Sequence, residues 1–221
     1  MNRNTNLPLS PSQQEELLTQ LGGLINTRKN IILAIEGRCG SGKTTLAAYL
    51  AGIYDCNVIH MDDFYLPFSM RTSKRLAEPG GNIHYERFLT EIYTPLRRLA
   101  AKETFTGNHL TGTAVDAVLG CYQVFSCVTG DYDDTYPLYN RPLTIIEGSY
   151  CMHPEFRNLY DLSVFLDITA ELQLKRLRNR VGSEALNAFI EKWIPLENAY
   201  FDTGIAGICT KYYLQKEQWC L

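Results

Sequence analysis

A lysine and a threonine stand together at Lys43-Thr44, with glycines upstream at positions 37, 40 and 42. The whole run is Gly37-Arg38-Cys39-Gly40-Ser41-Gly42-Lys43-Thr44, the spacing GxxxxGK[ST]. These residue types at this spacing suit the binding of a nucleoside triphosphate. Glycines let the backbone turn back and aim successive N–H groups at a polyphosphate, where side chains would block the approach. A helix starting near Lys43 adds its positive dipole end. Lys43 can reach the β- and γ-phosphates, and Thr44 can offer its hydroxyl to Mg²⁺. The candidate ATP contacts therefore run from Gly37, Arg38, Cys39 and Gly40 through Ser41, Gly42, Lys43 and Thr44 to Thr45. At average residue frequencies the pattern arises by chance about once in a hundred chains of this length.

A second group with chemical potential is Asp62-Asp63, at the end of the apolar portion of Cys56-Asn57-Val58-Ile59-His60-Met61. In an open parallel sheet, ligands collect outside the carboxyl ends of the strands. Two acids there, beside a polyphosphate site, point to proton abstraction or Mg²⁺ ordering; the bland alternative is a turn cap and a solvated carboxylate. In an extended strand, adjacent side chains take opposite faces, so one of the two should face the phosphates. His60 reads as a core histidine rather than a ligand.

These groups need a scaffold. Ile31-Ile32-Leu33-Ala34-Ile35 reads as a strand over about 31–36, and a helix should come next over 43–52. Ser10-Pro11 has the form of a helix cap, with Leu17, Leu18, Leu21, Leu24 and Ile25 at helical spacing behind it. From Tyr85 onward, Phe88, Leu89, Ile92, Leu96 and Leu99 mark an amphipathic helix bent at Pro95. A hairpin is expected within 115–128, broken at Gly120, and 131–136 reads as a polar, aromatic loop that connects strands rather than stacking a ligand. Further strands are expected at about 143–147 and 162–168, helices at 170–181 and 183–193 with the second stopping near Pro195, and an edge strand within 207–214. Strands alternating with helices give an α/β fold: three layers, with a mainly parallel sheet covered by helices on both faces.

Composition narrows the classes. The 221 residues, 45% of them hydrophobic, suffice for one α/β core, and the whole chain 1–221 reads as one domain. A net charge of −3 gives no sign of a nucleic-acid binder or an anionic-membrane binder. No apolar run approaches the ~20 residues needed to span a bilayer, and the polar stretch 1–11 lacks a signal-peptide core. Seven cysteines without a CxxC pair read as free thiols of a reducing cytoplasm rather than disulfides or a zinc site.

The P-loop followed by His60-Met61-Asp62-Asp63-Phe64-Tyr65-Leu66-Pro67 resembles the uridine kinase family, in the broader group of phosphoribulokinase and bacterial pantothenate kinase. Glu78-Pro79-Gly80-Gly81-Asn82-Ile83-His84-Tyr85-Glu86-Arg87-Phe88, Thr144-Ile145-Ile146-Glu147-Gly148-Ser149-Tyr150, Val164-Phe165-Leu166-Asp167-Ile168 and Trp193-Ile194-Pro195-Leu196-Glu197-Asn198 extend the likeness over roughly 30–102 and 142–201. The resemblance implies a P-loop NTPase fold and a kinase that uses ATP and Mg²⁺ on a nucleoside-like small molecule. It implies Asp62 as base toward the acceptor hydroxyl, Tyr65 as an aromatic beside the acceptor, and Glu147 as the acid that holds the metal's water shell. Arg176, Arg178 and Arg180 would fall in a lid, about 170–193, with Arg176 and Arg180 the candidate ATP contacts.

This chain departs from the family pattern in two places. An acid is usual in the 82–84 region, where this sequence has His84; a neutral imidazole can still hydrogen-bond an acceptor hydroxyl but is a poor Mg²⁺ ligand. Arg87, on the helix that begins there, is a candidate anion contact. Residues 103–141, on the acceptor side, carry no family pattern. Three readings are open: a uridine kinase-like enzyme, monomeric or homo-oligomeric; a kinase of another hydroxylated metabolite such as pantothenate or a sugar phosphate; and a nucleotide-binding regulator with little transfer.

Overall fold

A computed structural model describes residues 7–105 and 117–213; the turn-rich stretch at 106–113 and Cys220 lie outside the described residues. In chain order the main elements begin with α1 (Pro11–Thr27), β1 (Ile31–Gly37), α2 (Lys43–Ala51) and β2 (Cys56–His60). Short helices α3 (Ser73–Leu76) and α4 (Tyr85–Phe88) precede α5 (Thr94–Phe105) and the strands β3 (Val118–Ser126) and β4 (Asp131–Tyr139). The chain continues through β5 (Leu143–Glu147), β6 (Leu162–Asp167), α6 (Ala170–Ala188), α7 (Ile194–Phe201) and β7 (Thr210–Tyr213). Five strands form one sheet in the order β2-β5-β1-β6-β7, every pair parallel. The edge strand expected in 207–214 is β7.

β1 is buried along its whole length, because the sheet is covered on both faces. Ile31, Leu33 and Ile35 pack with Leu17 and Leu21 of α1 and with Leu46 and Leu50 of α2. Ile32 and Ala34 turn to the opposite layer, with Phe88, Ile92, Ile146 and Phe165. Ser10 caps α1 as expected: its hydroxyl accepts from Gln13 N–H at 3.3 Å, and the Gln13 side chain accepts from Ser10 N–H at 2.9 Å.

Three expectations need correction. Residues 131–136 are not a connecting loop but most of β4, paired antiparallel with β3. Nor is there a hairpin within 115–128: Val118–Ser126 is one strand, and the break expected at Gly120 is a register shift between Val118 and Gly120 rather than a turn. Second, Pro195 does not end a helix. It lies in the first turn of α7, where no N–H is required, and the preceding turn, Phe189–Trp193, is wound as π-helix. Pro95 repeats the arrangement, with the π-turn Leu89–Tyr93 in front of α5. Third, Asp62-Asp63 are not extended; they sit in a 3₁₀ turn, Met61–Phe64, directly after β2.

The hairpin tip is anchored over the site. Gly130 has φ +73°, and a Cβ there would lie 2.3 Å from the Phe68 ring, so only glycine lets the turn close on that ring. Phe68 N–H donates to Gly130 O at 2.9 Å, which fixes the docking.

Candidate active site

The loop from Gly37 to Thr44 joins the end of the central strand β1 to the start of α2, as the spacing predicts. Gly37 must be glycine because a Cβ would lie 2.3 Å from Leu166 O of the neighbouring strand. Lys43 is buried, and its Nζ donates to Gly37 O at 2.8 Å, Arg38 O at 3.0 Å and Ser149 Oγ at 3.2 Å. Cys39, Gly40, Gly42, Lys43, Thr44 and Thr45 line a cavity of about 750 Å³. Gly37, Arg38 and Ser41 do not line it. Arg38 turns away to Asp167 at 3.1 Å and Asn198 at 2.5 Å, which ties the loop to β6 and α7.

Opposite the loop, Thr44 Oγ1 donates to Glu147 Oε1 at 2.9 Å, and both residues line the cavity. His60 Nδ1 lies 2.6 Å from the same carboxylate oxygen, and that hydrogen bond raises the imidazole pKa. His60 is thus half-exposed against Glu147 rather than a core residue. A hydroxyl and a carboxylate, with Asp62 lining the same cavity, are the hard oxygen donors that suit a Mg²⁺ ion retaining most of its waters. Among the described residues there is no cluster of three or more His, Cys, Asp or Glu that would make an all-protein metal cage.

The two adjacent acids have different surroundings. Asp62 is exposed and lines the cavity, as does Tyr65. Burial, and then the charge of Asp62, hold the Tyr65 phenol well above its ordinary pKa, so Tyr65 stays a donor. Asp63 does not line the cavity; burial pushes its carboxyl up to about 6.

The roof of the cavity comes from α6 and the turn after it. Arg176 Nη1 donates to Gly40 O at 3.0 Å, and Arg180 lies 5.7 Å from the Phe189 ring centroid; both arginines line the cavity. Arg178 is exposed and does not. Gly182, at φ +78°, kinks α6 just beyond these arginines. Glu197 of α7 reaches back to accept from Cys39 N–H at 2.9 Å and Ser149 Oγ at 2.5 Å. Burial and the Glu197 charge push the Cys39 thiol up to about 12, so no thiolate is present in the P-loop at neutral pH.

No protein-family profile matches the chain. Solved structures do match over most of its length. A possible uridine kinase from Bacillus stearothermophilus aligns with a TM-score of 0.58 at 19% identity, over 89% of this chain and 99% of that one. D-glycerate 3-kinase from Cryptococcus neoformans gives 0.58 at 14% identity, over 94% and 97%. YFH7 from Saccharomyces cerevisiae, which carries a circular permutation, gives 0.56 at 12% identity, over 92% and 99%. The fold is that of the P-loop kinases.

On the side of the cavity away from the P-loop the lining differs from the sequence expectation. Of the four residues named for the acceptor, Asp62 and Tyr65 line the cavity; His84 and Arg87 do not. His84 Nδ1 is hydrogen-bonded to the Tyr132 hydroxyl, and burial lowers its pKa, so the ring is neutral. Arg87 is buried between the rings of Phe64 and Tyr132, at 4.5 and 4.0 Å. It donates to Asp63 O at 2.6 Å and Gln123 O at 2.7 Å and pairs with Glu91 at 3.4 Å. Both side chains fasten the hairpin to the segment that opens α4. Phe68, Arg71, Phe125 and Trp193, drawn from three distant parts of the chain, line the cavity in their place.

Glu36, the last side chain before the P-loop glycine, was also not legible as a site residue. It is fully buried, and its carboxylate accepts from the N–H groups of Gly37, Tyr150 and Met152 and from the Tyr200 hydroxyl. Tyr150 is held at φ +78°, an unusual backbone value for a non-glycine residue, so Glu36 locks the turn that carries Ser149 behind Glu147. Burial pushes Glu36 up from 4.5 to about 7, against the opposing pull of its donors and Lys43. A carboxyl raised in the folded state contributes its stability in full below 4.5 and loses it as pH climbs through about 7. The wild-type melting temperature is therefore expected to fall, relative to a Glu36→Gln variant, between about pH 5 and about pH 8. Parallel melting curves across that window would remove Glu36 from the pH response.

Proposed function

We propose that this protein is an ATP-dependent, Mg²⁺-assisted kinase that transfers the γ-phosphoryl group to a hydroxyl of a small molecule. The observation that carries the reading is that one cavity is lined at once by Lys43 and Thr44, by Glu147, by Asp62 and by Arg176 and Arg180. Lys43 and the arginines supply positive charge where the polyphosphate would lie, and Asp62 lines the same cavity, where the acceptor would present its hydroxyl. In the transfer, the acceptor oxygen bonds to the γ-phosphorus as the bond to the departing ADP oxygen breaks. Asp62 takes the hydroxyl proton late in that step, since a carboxylate is too weak a base to strip an alcohol outright. A bound Mg²⁺ would add charge neutralisation on the phosphates, and Thr44 and Glu147 are the residues to hold it and its water shell. Segment 170–193 acts as the lid, and the hairpin within 103–141 closes the acceptor side.

A nucleoside-like acceptor, as for a uridine kinase-like enzyme, is supported by the aromatic wall. A different hydroxylated metabolite, such as pantothenate or a sugar phosphate, is favoured by one further observation, the cation Arg71 within that wall. No helix among the described residues is long and apolar enough to cross a membrane. The free thiols Cys39, Cys56, Cys121, Cys127, Cys151 and Cys209 fit a reducing compartment such as the cytoplasm.

A panel of nucleosides, pantothenate, glycerate and sugar phosphates, with acceptor-dependent ADP formation as the readout, tests the reading. ATP binding without transfer to any of them would favour a regulatory nucleotide-binding role instead. Glu147→Gln is expected to depress turnover and raise the Mg²⁺ concentration needed for half-maximal rate, leaving acceptor KM nearly unchanged. A collapse of acceptor affinity with an unaltered Mg²⁺ titration would assign Glu147 to the acceptor.

A further inference from the structure

Building on the kinase reading, we infer that the acceptor carries a carboxylate or phosphate bound by Arg71, on an apolar or planar body held among Phe68, Phe125 and Trp193. The guanidinium carbon of Arg71 lies 4.5 Å from the Phe68 ring centroid, 5.4 Å from Phe125 and 6.0 Å from Trp193. All four residues line the same cavity as the P-loop. Arg71 Nε donates to Leu66 O at 2.9 Å, which fixes the side chain and leaves both terminal amino groups available. Among the described residues no aspartate or glutamate forms an ion pair with Arg71, and the titratable groups that act on it are the Cys127 thiol and the Tyr65 phenol. By contrast Arg28, Arg38, Arg75, Arg87 and Arg141 each pair with an aspartate or glutamate.

A half-buried guanidinium without a counter-charge is a cost to the fold, and aromatic faces offset only part of it. An acidic group entering the cavity offsets the rest through charge-assisted, bidentate hydrogen bonds, whereas a neutral acceptor leaves the fork unmatched. Tyr65 connects this anion site to the chemistry. It lines the cavity with Asp62, whose charge acts on its phenol, and its ring centroid lies 6.0 Å from Phe125 and 6.3 Å from Trp193. An acceptor lying along Tyr65 thus places its hydroxyl at Asp62 and its acidic end at Arg71. The flanking rings accommodate a carbon skeleton or a planar ring between the two.

The test compares acidic acceptors with neutral twins: pantothenate with pantothenol, glycerate with glycerol, fructose 1-phosphate with fructose, and uridine as a neutral nucleoside. Two readouts are taken, acceptor-dependent ADP formation and Trp193 fluorescence in a Trp219→Phe background, the second of which needs no transfer. At least one acid should bind about tenfold or more tightly than its twin, and the carboxylate and phosphate arms separate the two anion types. Arg71→Gln should abolish that preference without changing KM for ATP, and Arg71→Lys should keep part of it; melting curves check that both variants fold. A preference seen by fluorescence with no ADP formed would support the anion site and sink the kinase reading. Turnover of a neutral nucleoside that Arg71→Gln leaves unchanged would keep the kinase reading and overturn this inference. So would the absence of any Arg71-dependent response to every acid in the panel.

Discussion

Asp62→Asn is expected to lower kcat by 10²–10⁴, roughly 3–5 kcal/mol of transition-state stabilisation, while ATP still binds. The substitution is nearly isosteric, and the asparagine carbonyl keeps a hydrogen-bond acceptor where the carboxylate stood. What it cannot do is take a proton from the acceptor. Asp63→Asn supplies the comparison, because the neighbouring side chain does not line the cavity. From sequence, Asp63 is expected to cap the turn after it or to pair with an arginine. Its side chain caps nothing, and it is the backbone carbonyl of Asp63 that Arg87 engages, at 2.6 Å. Asp63→Asn should therefore retain most of its turnover. Steady-state kinetics of the two variants, with ATP affinity measured separately, decides between the acids. The reverse pattern would mean that the wrong one has been chosen.

Lys43→Ala should cost about 10²–10³ in turnover and weaken ATP binding, since a preorganised cation is lost where charge grows in the transition state. The side chain also spans its own loop, donating to Gly37 O and Arg38 O, and touches Ser149 across the cavity. Some loss of P-loop order is thus part of the expected effect, and a melting curve shows whether the variant is folded. Near-wild-type turnover in a folded Lys43→Ala protein would contradict the assignment of this loop to phosphoryl transfer.

The P-loop side of the cavity was legible in the sequence because its parts are local. Strand, glycine turn, lysine, threonine and helix lie within one short run, and each has its own reason for being there. Glu147 was legible for a similar reason, as an acid closing an apolar strand. The acceptor side was not, because its residues share no spacing. Arg71, Phe125 and Trp193 meet only when the β3–β4 hairpin and the turn before α7 fold over the Asp62 segment. The hairpin itself was half-missed, since Asp131, Asp133, Asp134 and Thr135 are exposed and β4 lacks the apolar alternation that marks a strand. His84 and Arg87 looked available for a ligand because their partners, Tyr132 and Gln123, lie in that same hairpin. Glu197 lies in a family-like stretch, yet nothing local foretold that it would bind Cys39 N–H across 158 residues.

The central claim is that this cavity moves a phosphoryl group from ATP to an organic hydroxyl. It is tested most directly by tracking γ-labelled ATP with acidic and neutral acceptors in wild type and in Lys43→Ala. Label should appear in an organic phosphate ester with wild type and be nearly absent with the variant. Label that is released only as inorganic phosphate, or that stays on ATP while ATP is bound, would contradict the account.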